Sequence, residues 1–310
     1  MPEEAQMSNV GPLRTLEWEG VLTAQSSIAH TGKEAGIRHA FRKESIILAD
    51  GSLMQGVPIL SGSAIRGGMR RIAAVMMQDA LAGDERLPFD VVNAFRSGGS
   101  LRETRSSGEV LTGETQARLR DLLPMLAIFG FSTSGRIISG RLSVDKAIPV
   151  AAELSHLITT YRVDLGDYRP PATRRLLQGE DYTRFADVND LPAQPFIEMD
   201  GEERVLPKGS GNMLWNQETM LAGSKLLHRV VLDEALPVEA SFMRELMHKW
   251  TKAGKIGAQK SRGMGRFTAD YTMTAVNLSG DEVTGDPEMS WRDYVAEHRE
   301  EALALAVKWL

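Results

Sequence analysis

The 310-residue chain contains no cysteine. That excludes disulfide frameworks, thiol nucleophiles and thiolate metal sites, and it fits a reducing cytoplasm. Long hydrophobic runs are also missing: no segment approaches the roughly 18 consecutive apolar residues that a membrane span needs. The N-terminal stretch MPEEAQMSNV has neither the basic nor the apolar part of a signal peptide. Six histidines are present (His30, His39, His156, His228, His248, His298), with no pair at the close spacing of a zinc-binding helix. Aromatic residues make up only 6%. A cytosolic protein with no metal, cofactor or membrane partner is therefore expected.

The charge that is present is segregated. The net charge is −5, whereas nucleic-acid binders are usually basic. Yet residues 30–71 hold seven Lys/Arg against three Asp/Glu, and residues 251–270 hold five against one. Residues 180–203 carry eight acids and one base, and residues 280–301 eight acids and two bases. Such asymmetry fits a polyanion site, an acidic face of one copy meeting a basic face of the next, or plain solvated surface.

Two segments read as matching halves. LEWEGVLTA alternates apolar and polar residues from Leu16 to Ala24, as a half-buried strand does. Downstream, Ile65, Met69, Ile72, Met76 and Ala80 recur at helical spacing, with Ser61 or Ser63 placed to cap the start. In the second half, a strand is expected from Lys225 to Asp233. Pro237 then opens a helix whose stripe is Ala240, Met243, Met247 and Trp250. A glycine-rich loop leads into a last strand that points Phe267, Ala269 and Tyr271 one way. Strand–helix–strand twice over gives an α+β class of ferredoxin-like or RNA-recognition-motif type.

Other segments separate and follow these halves. Residues 83–112, with Gly, Ser and Arg in SGGSLRETRSSGEV, read as mobile, and TQARLRDLLPMLAIFG as a helix broken near Pro124. Residues 150–212 show no sustained period, as in a functional excursion or a disordered loop. Ser290 and Asp293 form a capping box for one C-terminal helix over 288–310, with Trp291, Val295, His298, Leu305 and Trp309 on one face.

Two segments carry chemistry. In PILSGSAIRGGMRR, small residues precede a helix bearing Arg66 and Arg70 on one flank. Free N–H groups at a helix start bind anions, and Gly62 would allow a phosphate to approach closely. It is not a P-loop, which needs Lys followed by Ser or Thr. In GKIGAQKSRGMGRF, four glycines accompany Lys255, Lys260, Arg262 and Arg266, offering backbone donors and flexible cations. The dinucleotide fingerprint is absent there. Read plainly, the first is a capped helix with surface arginines and the second a helix-to-strand turn.

Taken together and in order, VPILSGSAIRGGMRR, LAIFGFSTSGRIISGRLSV and GAQKSRGMGRF resemble the RAMP (repeat-associated mysterious protein) superfamily of CRISPR systems. The wording of the helix motif is most similar to the type IV backbone protein. The resemblance implies a single hand-shaped domain: palm halves at 16–82 and 224–276, finger-like insertions at 26–57 and 83–112, and a thumb-like insertion at 150–212. It implies a non-catalytic subunit that forms a homo-oligomeric filament on guide RNA (crRNA), with other CRISPR effector subunits and the paired target nucleic acid as partners. The residues expected to contact RNA are Arg38, Arg42, Lys43, Ser61, Gly62, Ser63, Arg66, Arg70, Arg169, Lys260, Ser261 and Arg262. The low aromatic content agrees with recognition of the RNA backbone rather than base stacking on the sheet.

Target-cleaving relatives carry an aspartate in the loop after the first strand. Here that loop reads HTGKEAGIRHAFRKES, with Arg38 or His39 at that position and Glu34 and Glu44 out of register. No hydrolysis is therefore expected. The rival reading is an RNA-cleaving enzyme that uses His30 or His39 as general base. An unrelated ferredoxin-like regulator that binds a small anion through its basic loops is the third.

Overall fold

The structure is a computed structural model that describes residues 11–35, 38–83, 86–99, 111–133, 136–183, 214–284 and 289–310. In chain order β1 (Arg14–Ala24), β2 (Thr31–Ala35), β3 (Arg38–Phe41), β4 (Lys43–Ile47) and β5 (Leu53–Pro58) precede α1 (Gly62–Ala82). Then come α2 (Phe89–Ser97), α3 (Gly113–Leu122), α4 (Pro124–Phe129), β6 (Phe131–Thr133), β7 (Arg136–Ile138), β8 (Leu142–Val144) and β9 (Ile148–Pro149). The remainder is α5 (Ser155–Ile158), β10 (Leu177–Thr183), β11 (Leu214–Met220), β12 (Lys225–Ala235), α6 (Pro237–Ala253), β13 (Phe267–Asn277), α7 (Trp291–Glu297) and α8 (Arg299–Trp309).

The fold is mixed α+β. Its central sheet is antiparallel in the order β13-β1-β12-β8, with β9 also on β12. Two strand–helix–strand units interleave: β1–α1–β8 straddles β12, and β12–α6–β13 straddles β1. The strand alternation read from sequence decides the faces. Leu16, Trp18 and Leu22 of β1, Leu226 and Val230 of β12, and Phe267 of β13 join the stripes of α1 and α6 in one core. Ser61, not Ser63, caps α1, its Oγ accepting from the Ala64 N–H. At the start of α6, the Glu239 carboxylate accepts from the Leu236 N–H.

The opposite face of the sheet is also covered. Val21 and Leu227 pack there against Ile158, Tyr161, Val163, Leu165 and Tyr168. A second sheet, β10-β11-β3-β2, stands beside the first, with β11 and β3 parallel. Among the described residues no helix is long and apolar enough to cross a membrane.

Two expectations need correction. The C-terminal segment is two helices, because it breaks at His298. The His298 Nδ1 lies 2.9 Å from the Tyr294 carbonyl, and Arg299 turns back to donate to the last carbonyls of α1, Leu81 and Ala82. The segment 83–112, read as mobile, carries α2, whose Val91, Ala94 and Phe95 are buried. Residues 100–110 of that segment and 184–213 of the thumb-like one lie outside the described residues.

Candidate nucleic-acid interface

A short strap after β1 brings the sequence motifs together. The Ser27 carbonyl accepts from Gly265 N–H at 2.8 Å, and the Ala29 carbonyl from Ala258 N–H at 2.7 Å, so the strap lines the glycine-rich loop. Ile28 pairs with Met220 at the end of β11. The His30 carbonyl accepts from Arg42 N–H, and His30 Nε2 accepts from the backbone N–H of Ser61 at 3.1 Å. Burial, and then the nearby Arg42 guanidinium, hold the His30 pKa below its usual value. Its ring is thus a neutral acceptor that fixes the start of α1.

The helix motif and the mid-chain motif dock on each other. Arg66 Nη2 donates to the Phe129 carbonyl at 2.5 Å, and Arg70 Nη2 to the carbonyls of Phe129 and Gly130 at 2.8 Å each. Both guanidinium groups also lie over the Phe129 ring, at 5.5 and 5.1 Å. Arg70 is only 8% exposed, and burial followed by the Arg66 charge lowers its pKa to about 10. It is an interior residue. Gly62 also faces protein: a Cβ there would stand 2.1 Å from the Val144 carbonyl, so glycine lets α1 pack against β8. Ser63 is exposed and donates to Ser61 Oγ at 3.3 Å.

The glycine-rich loop projects the cations. Gly265 has φ +77°, and a Cβ on it would meet the Ile256 carbonyl at 1.9 Å, so the loop closes on itself only with glycine there. Lys260, Ser261 and Arg262 form a 3₁₀ turn at its tip. Gln259 Nε2, just before the turn, donates to Oε1 of the buried Gln217 on β11 at 2.6 Å. Two residues away on the same strand, Trp215 lies under Arg262, 4.7 Å from ring centroid to guanidinium carbon, and meets His39 edge-on at 5.3 Å. Burial lowers the Lys260 pKa, and the charges of Arg71 and Lys255 lower it further. The positive field at Lys260 is one that an anion relieves.

Of the other expected residues, Arg42 is exposed beside His30. Lys43 pairs with Glu218 at 2.8 Å. Arg38 sits in β3 opposite Ala35 and Asn216, and its side chain is outside the described residues. Arg169 is exposed in the stretch just after Tyr168, on the other side of the central sheet. The structure therefore gathers Ser61, Ser63 and Arg42 around the strap and Lys260, Ser261 and Arg262 at the loop tip, while Arg70 and Arg169 stand apart. Sequence reading named Lys255 among the loop cations but missed Arg71 and Trp215. Arg71 adjoins Arg70 in the motif, but a basic pair alone does not reveal which member turns outward.

The RAMP superfamily model matches residues 48–268, a span that includes the helix motif, the Phe129–Gly130 turn and the glycine-rich loop. The chain belongs to the RAMP superfamily. Among solved structures, this RAMP chain is similar to one from a "Type IV-B CRISPR Complex", with 25% identity and a TM-score of 0.58, covering 89% of this chain and 96% of that one. No curated protein matches it.

Proposed function

We propose that this RAMP protein is a guide-RNA-binding backbone subunit of a CRISPR effector of the type IV kind, working in the cytoplasm. The observation that carries the reading is the strap after β1, whose Ser27 and Ala29 carbonyls hold the glycine-rich loop with its tip cations Lys260 and Arg262, while its His30 holds the start of the helix motif. Membership of the superfamily and likeness to a chain of a type IV-B complex support it. Cations at a loop tip bind phosphates of any sequence, which a carrier of changing guides requires.

In this reading copies of the chain follow one another along the RNA, with acidic stretches such as 280–301 facing a neighbour or solvent. The ferredoxin-like sheet with α1 and α6 is the palm. Residues 26–57 and 83–112 are finger-like, residues 150–212 form a thumb-like excursion, and other effector subunits and the paired target complete the particle. The subunit carries RNA and does not cut it. His30, a candidate general base by residue type, is occupied as acceptor for Ser61, which favours the non-cleaving role over the nuclease.

The test is the mass and absorbance ratio of the purified protein before and after ribonuclease. A nucleic-acid-laden assembly that yields protected RNA fragments growing in regular steps is expected. A nucleic-acid-free monomer or dimer that ignores added RNA would overturn the proposal, and one defined cleavage product lost in His39→Ala would favour the nuclease.

A further inference from the structure

We infer that Trp215 and Arg262 form a stacking platform that holds one unpaired base of the bound RNA, alongside the phosphate contacts. The inference rests on the RNA-binding reading above and goes beyond it, because a pure backbone binder has no use for bases.

Four of the five tryptophans, Trp18, Trp250, Trp291 and Trp309, are buried, whereas Trp215 is only half-buried. The place where an RNA-recognition sheet stacks bases is its open face. Here the centre of that face lies under Tyr161 and Tyr168, whose rings are themselves covered by Arg229 and Lys225 at 5.1 and 4.7 Å. Stacking on the central strands is thereby closed off, and Trp215 lies on the neighbouring sheet, in the basic site.

Its setting is rigid. Trp215 and Gln217 share one face of β11, and both hold the loop tip: Gln217 binds Gln259, and the Trp215 ring supports Arg262. His39 packs edge-on and sets the plane of the indole. Arg262 is exposed above this support, and a guanidinium plane stacks on a base as an aromatic ring does. Lys260 in the same turn, with Arg71 and Lys255 beside it, would take the flanking phosphates. The pairing of one planar cation on one aromatic with point charges next to it suits a nucleotide rather than a bare anion. Every base has a π-face, so the platform stays tolerant of sequence.

The test compares binding of single-stranded oligouridine with that of an oligomer of equal length whose ribose-phosphate chain carries no bases. The wild-type protein is expected to favour the base-bearing chain by about tenfold. Arg262→Lys keeps the charge but loses the plane, so it should bind the abasic chain within about twofold of wild type, with an unchanged salt slope, and lose the preference for bases. Trp215→Leu should do the same, and Lys260→Ala should weaken both chains equally. Arg262→Lys replaces an exposed side chain, so it remains informative even where Trp215→Leu disturbs the strand. Equal binding of both chains by the wild type, or a preference that survives Arg262→Lys, would overturn the platform alone. Binding of neither chain would overturn the RNA-binding reading with it.

Discussion

His30 Nε2 accepts the backbone N–H of Ser61 at 3.1 Å, and through that bond the strap after β1 is tied to the first turn of α1. The ring can accept only while it is neutral. A second histidine, His228, lies fully buried beside Trp250, its Nδ1 2.5 Å from the Tyr271 hydroxyl. Burial lowers the pKa of both, that of His228 to about 4.

Stability should therefore fall with acid in a defined window. The unfolded chain takes up protons near pH 6.5 while the folded one refuses them, so the contribution of each ring is full above pH 6.5. It is lost as the pH falls towards the folded value, which for His228 is about 4, with a slope of up to about 1.4 kcal/mol per pH unit per histidine. Chemical denaturation at pH 7.5, 6 and 5 measures this. His228→Leu should flatten the slope; an unchanged slope in that variant would contradict the assignment.

Adjacent arginines should separate cleanly. Arg70→Ala removes a buried guanidinium from the Phe129 and Gly130 carbonyls and should cost about 3 kcal/mol of stability, leaving the salt dependence of RNA binding unaltered. Arg71→Ala, on the exposed side, should leave stability within about 0.5 kcal/mol and lower the salt dependence. Denaturation and binding titrations on the same pair of variants check both halves. An Arg70 variant as stable as wild type would show that the bonds to the Phe129–Gly130 turn add little.

These contrasts mark where the sequence was readable. The periods of Leu16–Ala24, Ile65–Met76 and Ala240–Trp250 exposed the palm strands and helices, because burial on one face writes itself locally. Burial of Arg70 was not readable, since its partners lie some sixty positions downstream and a helix flank does not reveal what packs on it. Trp215 was hidden for the same reason: only the pairing of β11 with β3 and the contact with the loop tip give the ring a role. The C-terminal stripe suggested one helix, because a periodic pattern does not register that His298 bonds the Tyr294 carbonyl where the axis breaks.

Residues 184–213 should be dispensable for folding. Thr183 and Leu214 are paired directly across β10 and β11, so a two-residue Asn-Gly turn can replace everything between them. The shortened chain should melt close to wild type and still bind RNA, while the regular steps of its protected fragments are lost. A collapse of folding would mean that the segment belongs to the palm.

The most direct measurement is the affinity for three unrelated single-stranded RNAs as a function of salt, for wild type, Arg71→Ala, Lys255→Ala and Lys260→Ala. The account predicts one common slope for the three RNAs, reduced by about 0.7 for each cation removed, with affinity falling equally on every sequence. Slopes untouched by the substitutions, or losses confined to one RNA, would contradict it.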